Sequence, residues 1–224
     1  MTDPTKVHYV LIVDRSGSMA TVKDDMQGGI RSFIDKQLEG VDGNKRTVSF
    51  YQFDTTHDRL HNFDLLEKAR DYELIPRGGT ALLDAVGQAI VEVGVKLKKI
   101  PEDERPGFVM VIIVTDGEEN SSRTYTRDRV KQMIEHQQDK YGWNFTYLGA
   151  NQDSFAEAGS IGIAAASTLS WVGTTRSVNH TYDVLSASVS AGTVPTYDYM
   201  GVATASTGIV YNDEQREHAM GETP

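Results

Sequence analysis

Five side chains in three separate stretches could act together: Asp14, Ser16 and Ser18 in Asp14-Arg15-Ser16-Gly17-Ser18, Thr80 in Gly78-Gly79-Thr80, and Asp116 in Thr115-Asp116-Gly117. All offer hard oxygen, and neither imidazole nor thiolate lies beside them in sequence, a donor set that selects Mg²⁺, Mn²⁺ or Ca²⁺ over zinc or copper. Five such oxygens leave an octahedral ion open to an outside ligand, and Mg²⁺, which sheds water reluctantly, can reach some carboxylates through water. Asp14 and Asp116 balance a dication, so an incoming carboxylate meets a neutral shell, and nearby helix N-termini add positive potential. A Glu or Asp side chain of a partner protein suits that vacancy. Gly17, Gly78, Gly79 and Gly117 are placed for sharp turns around the ion.

The elements expected to carry these residues alternate between strand and helix. Val7 to Val13 is a β-rich apolar run ending at Asp14, and Val22, Met26, Ile30, Phe33, Ile34 and Leu38 then recur at helical spacing until Gly40. Thr47 to Phe53 is a second strand, Asp54 to Asp58 turns the chain back, and Leu60 to Leu65 reads as an antiparallel edge strand. Leu82, Val86, Ile90, Val93 and Leu97 mark a second long helix, with Thr80 at the expected N-cap. Phe108 to Val114 is the most apolar run, as a central parallel strand buried on both faces would be. Further on, Thr126 to Tyr141 is an amphipathic helix with Val130, Met133, Ile134 and Tyr141 inward, and Trp143 to Leu148 is a strand. A short helix from Gln152 to Ala158, a strand near Ala164 to Leu169, and a helix carrying Val178, Tyr182, Leu185 and Val189 complete the series. The pattern predicts an α/β fold with a mostly parallel sheet covered on both faces. The three polar stretches then meet at the strand ends where the strand order reverses.

The 224 residues suit one large domain, taken here as residues 1–192. Between Ala164 and Tyr211 only Arg176, Asp183 and Asp198 are charged, and Gly192 to Gly208 lacks periodicity. Residues 193–224 are therefore expected to form a loosely structured extension, dispensable for folding, with a short helix from Asp213 to Met220. A net charge of −10 argues against a nucleic-acid or anionic-membrane binder. The absence of cysteine removes disulfides, thiol nucleophiles and thiolate metal sites. No stretch has the form of a signal peptide or a membrane span, which gives the expectation of a cytoplasmic protein.

Asp14, Ser16, Ser18, Thr80 and Asp116, in this strand context, resemble the metal-ion-dependent adhesion site (MIDAS) of the von Willebrand factor type A domain: Asp-x-Ser-x-Ser, then Thr, then Asp. The flanking Thr80-Ala-Leu-Leu-Asp84-Ala and Thr115-Asp-Gly-Glu-Glu-Asn120 are similar to bacterial and phage members, and the resemblance covers roughly residues 7 to 190. It implies a doubly wound six-stranded sheet of order 3-2-1-4-5-6 with strand 3 antiparallel. It also implies that Ser16, Ser18 and Thr80 contact the metal directly, that Asp14 does so directly or through water, and that Asp116 acts mainly through water. Mg²⁺ is the expected ion, with Mn²⁺ or Ca²⁺ as alternatives. The implied function is a non-enzymatic module binding a partner's Asp or Glu, and cytoplasmic relatives suggest an adaptor for an AAA+ ATPase or a stress-response complex. Arg15, Arg77, Glu118 and Glu119 are expected on a partner-binding rim.

Other readings compete. Ser16 and Ser18 could cap the first helix, Thr80 the second, and Asp116 a turn. An aspartyl phosphatase of the haloacid dehalogenase type would need a second acid where Ser16 stands, and a serine hydrolase would need a Gly-x-Ser-x-Gly elbow. His57 and His61 have the spacing of helical zinc ligands but fall in a turn and edge strand. The functional alternatives are a structural or assembly protein acting through its sparsely charged tail, with the metal only stabilising the fold, and a Mg²⁺-dependent hydrolase.

Overall fold

Alternation within two strands decides the layering. In the computed structural model, β1 (Asp3–Asp14) and β4 (Pro106–Thr115) lie side by side and parallel, Val10 opposite Val111. Successive strand residues point to opposite faces. Val7, Tyr9, Leu11 and Val13 of β1 accordingly join Phe108, Met110, Ile112 and Val114 of β4 in one core, while Val10 and Ile12 join Val109, Val111 and Ile113 in the other. Both faces need helical cover, which is why these strands read as continuous apolar runs rather than alternating ones.

The structure describes residues 1–150, 153–193, 196–197, 203–204 and 209–221. The main sheet has the order β3-β2-β1-β4-β5-β6, with β2 (Arg46–Phe53), β3 (His57–Leu65), β5 (Asn144–Ala150) and β6 (Thr168–Trp171). Only β3 runs antiparallel to its neighbour, Phe50 facing His61. Helices α1 (Lys23–Leu38) and α5 (Thr175–Thr193) contribute Phe33, Ile34, Val178 and Leu185 to the first core. Helices α2 (Leu82–Lys99), α3 (Arg127–Tyr141) and α4 (Ser154–Ser160) contribute Val86, Ile134 and Ala158 to the second. This is the doubly wound architecture expected.

Several elements differ in detail. Val22, not a serine, caps α1, because a 3-10 turn over Gly17–Thr21 intervenes and carries both serines away from the helix start. Thr80 does not cap α2 either: Ala81 holds that position without a side-chain bond, and the helix's free N–H groups turn elsewhere, as described below. Tyr141, expected inward, is 61% exposed at the last residue of α3 and lies edge-on to His136. The sixth strand begins four residues later than expected, after a 3-10 turn at Ala165–Ser167. The expected loose segment, Gly192 to Gly208, lies mostly outside the described residues, as does Gln152. Within it, Thr196–Tyr197 (β7) pairs antiparallel with Ala203–Thr204 (β8).

Beyond it the chain returns to the core. Ile209 and Tyr211 are buried, and the Tyr211 hydroxyl meets Thr146 Oγ1 of β5 at 2.8 Å. The expected terminal helix forms as α6 (Asp213–Met220), with an Asn212–Gln215 capping box. It docks on α5 where the Ser177 hydroxyl donates to the Ala219 carbonyl at 2.8 Å. No helix among the described residues is long and apolar enough to cross a membrane.

Candidate metal centre

The sheet order reverses between β1 and β4, and their C-terminal ends set Asp14 beside Thr115 and Asp116. Open α/β sheets bind ligands at such a switch point because the loops diverge there and leave a crevice. The backbone N–H of Ser16 donates to one Asp14 oxygen at 2.6 Å, and the Thr115 hydroxyl donates to the other, also at 2.6 Å. Ser16 Oγ lies 3.0 Å from Ser18 Oγ, and the Ser18 hydroxyl donates to Asp116 at 2.7 Å. The first and third stretches thus form one hydrogen-bonded chain.

Thr80 joins through a close approach at Gly117. A Cβ on that glycine would stand 3.2 Å from Thr80 Oγ1 and 3.8 Å from Ser18 Oγ, so the two hydroxyls converge on the space its missing side chain leaves. Gly78, the one of the four site glycines with positive φ (+70°), lets the second loop turn back and give its carbonyl to the Gly17 N–H at 3.1 Å. All five expected ligand residues therefore gather at one crevice. Asp14, Ser16 and Thr80 form its buried floor, with Ser18 exposed and Asp116 partly so.

The electrostatics suit a cation. Burial pushes the Asp14 carboxyl up to about 6, with a smaller push from the charge on Asp116, against the pull of the Thr115 and Ser16 hydrogen bonds. Burial also raises Asp116, against the Ser18 hydroxyl. Two neighbouring carboxylates taken out of water, ringed by neutral hydroxyls, lack the positive charge that would stabilise their ionised forms. A dication coordinated by hard oxygen supplies it, so the donor set fits such an ion. No cluster of three or more His, Asp or Glu positioned for a metal occurs among the described residues, so this centre rests on two acids and three hydroxyls.

Of the four expected rim residues, two are committed inward. Arg15 is 4% exposed, its guanidinium held by Asp54 at 2.8 Å and Asp58 at 2.6 Å, so it cannot reach a partner. Glu119 accepts from the Leu83 N–H at 2.9 Å, within the first turn of α2, and from the N–H groups of Ser121 and Ser122. It and Ser122, which takes the Asp84 N–H at 3.0 Å, cap α2 in place of Thr80. Arg77 is exposed but bonded to Asp54 at 2.7 Å, and Glu118 is exposed at the crevice.

Sequence reasoning missed the residues that hold the loops. Asp54 receives Arg15, Arg77 and the Thr56 N–H, while its backbone carbonyl takes the Ala81 N–H at 2.8 Å, which ties the first and second loops of the site and the β2–β3 turn to the end of β2. Burial opposes its ionisation, yet the Arg77 and Thr56 hydrogen bonds and the Arg15 charge hold the carboxyl at about 2. Asn120 accepts from the Thr80 N–H at 2.9 Å, and Asp84 accepts from the N–H groups of Arg123, Thr124 and Tyr125. The available signal for Asp54 was a lone acid ending an apolar strand adjacent to the first, the same signal that marked Asp14.

No protein-family model matches this sequence, and no curated protein matches it. Solved structures do match in fold. The von Willebrand factor domain of the type V pili tip protein Mfa5 from Porphyromonas gingivalis superposes with a TM-score of 0.63 at 12% identity, covering 88% of this chain and 99% of that one. The pilus adhesin SpaC of Lactobacillus rhamnosus GG, in an open conformation, gives 0.64 at 14% identity over 85% of this chain and 31% of its own. Proximal thread matrix protein 1 of the mussel byssus, in a form with zinc in its MIDAS motif, gives 0.61 at 13% identity over 84% of this chain. The present chain spans about half, 47%, of that mussel chain. At these identities the likeness is one of fold, and that fold is the von Willebrand factor A type.

Proposed function

We propose that this protein is a non-enzymatic binding module that engages an acidic side chain of a partner protein at a divalent cation held by Ser16, Ser18, Thr80, Asp14 and Asp116. The hydrogen-bonded run from Ser16 through Ser18 to Asp116, above a buried Asp14 that lacks a countercharge, carries this reading. Asp14 orients the first loop through the Ser16 N–H, Thr115 fixes the Asp14 carboxylate, and Asn120 positions Thr80. The bound ion would supply a Lewis-acidic position for one carboxylate from outside. Neither serine hydrogen-bonds a histidine, the usual base of a serine nucleophile: their hydroxyls meet each other and Asp116.

Mg²⁺ is the proposed ion, by the hardness of the donors. An adaptor role toward an AAA+ ATPase or a stress-response complex rests on the sequence resemblance alone, as the fold neighbours are named for pili and byssal threads. A cytoplasmic setting rests on the sequence reading alone, and fractionation of the native host checks it by finding the protein inside or outside the cell. The metal reading is tested by thermal melts with Mg²⁺, Mn²⁺ and Ca²⁺ on the wild type, Asp14→Ala and Ser18→Ala. A hundredfold excess of ion over its Kd should stabilise the wild type by about 2.7 kcal/mol. The same response in the variants, or none in the wild type, would refute the site.

A further inference from the structure

The apolar surface of α2 is wider than the sheet needs. Ala85, Val86, Ala89, Ile90 and Val93 are buried in the second core, yet Val91 and Val95, one turn apart, are 43% and 51% exposed. Both valines line a groove of about 510 Å³ between α2 and α3, which Ile90 and Met133 line from the core. Gly94 lies between them, and a Cβ there would meet nothing within 4 Å, so the groove is open at this point. The exposed Tyr141 ring, edge-on to the groove residue His136, extends the apolar surface to the end of α3.

The charges of this groove have one sign. Lys98 of α2 and Arg129 and His136 of α3 line it, and no Asp or Glu does among the described residues. The acids of α3, Asp128, Glu135 and Asp139, fall outside the lining. The ion pairs that the two helices form among the described residues are Glu92 with Arg59, Arg127 with Glu157 and Lys131 with Glu135, which leaves Lys98 and Arg129 without one. Exposed valines flanked by unpaired cations complement an apolar stripe flanked by carboxylates. A second copy would bring a net charge of −10 against another −10, and the same charge opposes nucleic acid and anionic membrane. From Ile90 to Lys98 the helix rises about 12 Å, room for two turns of a helix laid in the groove.

We propose that the α2–α3 groove docks an acidic amphipathic helix of a partner protein, with its apolar stripe over Gly94 and its carboxylates on Lys98 and Arg129. The groove shares no residue with the metal centre, so the proposal goes beyond the metal-site reading and does not depend on it.

The test uses the isotopically labelled full chain and three synthetic helical peptides of about 14 residues, or four turns. One carries leucine at i, i+3, i+4 and i+7 with glutamate on both flanks, the second has lysine for glutamate, and the third has glutamine for leucine. Each is titrated in Mg²⁺ and in EDTA and followed by amide chemical shifts. The first peptide should shift Gly94, Val95, Gln132 and Gln137 saturably and equally in both buffers. It should bind about tenfold more tightly than the lysine peptide, a ratio that a few exposed ion pairs supply. Lys98→Glu with Arg129→Glu, both at exposed positions, should reverse the order of the two charged peptides. Gly94→Leu fills open space, so it should keep the fold and abolish binding of the first peptide. Equal binding of the lysine or glutamine peptide, shifts spread over other faces, or unaffected variants would overturn the proposal. Two further results would also overturn it by naming another occupant: concentration-dependent shifts of these amides in the protein alone, for a second copy, or tighter binding to phosphatidylserine vesicles, for a membrane. If Mg²⁺ fails to stabilise the fold while the first peptide still binds, the metal reading falls and the groove stands. If Mg²⁺ stabilises and the first peptide does not bind, only the groove falls.

Discussion

Two buried ionisable residues set the residue-scale expectations. Asp54 and Arg15 are nearly inaccessible partners, whereas Arg77, bonded to the same carboxylate, is 59% exposed. Removing Asp54 leaves the buried Arg15 guanidinium only the half-exposed Asp58, so Asp54→Ala should cost about 3 kcal/mol in urea denaturation, and also weaken Mg²⁺ binding by freeing the first and second loops of the site. Arg77→Ala, at the solvated end, should cost under about 1 kcal/mol. Similar losses from the two would show that Asp54 is not the keystone. His8 has both ring nitrogens engaged, at 2.9 Å to Thr47 and 3.1 Å to Ser49, and stacks on Phe63. Burial pulls its pKa down to about 3. The unfolded chain therefore takes up a proton near pH 6.5 that the folded chain refuses until far lower pH, so this residue erodes stability as pH falls from 6.5 towards 3. Between pH 7 and pH 5 the wild type should lose about 2 kcal/mol more than His8→Gln. Parallel curves for the two proteins would mean that His8 protonates freely in the native state.

At the scale of elements, two adjacent glycines in α1 have opposite roles. A Cβ at Gly29 would stand 2.1 Å from the Tyr182 ring of α5, so the glycine is what lets these helices approach. Gly28 is exposed, with nothing within 4 Å of such a Cβ. Gly28→Ala should stabilise by roughly 0.5–1 kcal/mol, since alanine loses less entropy in a helix. Gly29→Ala should destabilise by about 1–3 kcal/mol through overpacking. Thermal melts of the pair check this, and a shift of the same sign in both would refute the α1–α5 contact. Helical spacing sets Gly29 on the apolar face, three residues after Met26 and four before Phe33, and Gly28 off it, but it does not say which neighbour comes closest to that face.

At the scale of the molecule, the end of the chain is part of the first core. Ile209, Tyr211 and Ala219 are buried beside Leu169 and Val178, and the terminal helix is bonded to α5. Truncation after residue 192 is therefore expected to yield a destabilised or insoluble product, contrary to what the low charge of this stretch suggested. Tyr211→Ala in the full chain should cost about 3–5 kcal/mol, as large aromatic truncations in cores do. A soluble truncated chain melting with the full-length protein would show that α6 is only an accessory.

The sequence by itself determined the layered α/β alternation, the central strands and the five residues of the crevice, because these follow from local period and from polar residues ending apolar runs. It also marked a short last helix from Asp213 to Met220. Tertiary structure alone decided which acids were free. Glu118 and Glu119 are neighbours of one type, yet one is exposed at the crevice and the other caps a helix 36 residues away in sequence. It likewise turned Arg15 from a rim residue into half of a buried ion pair. The physical reason is the same in each case: residue type and spacing carry the periodicity of an element, while the partner a charge or hydroxyl finds depends on which loops the sheet order sets side by side.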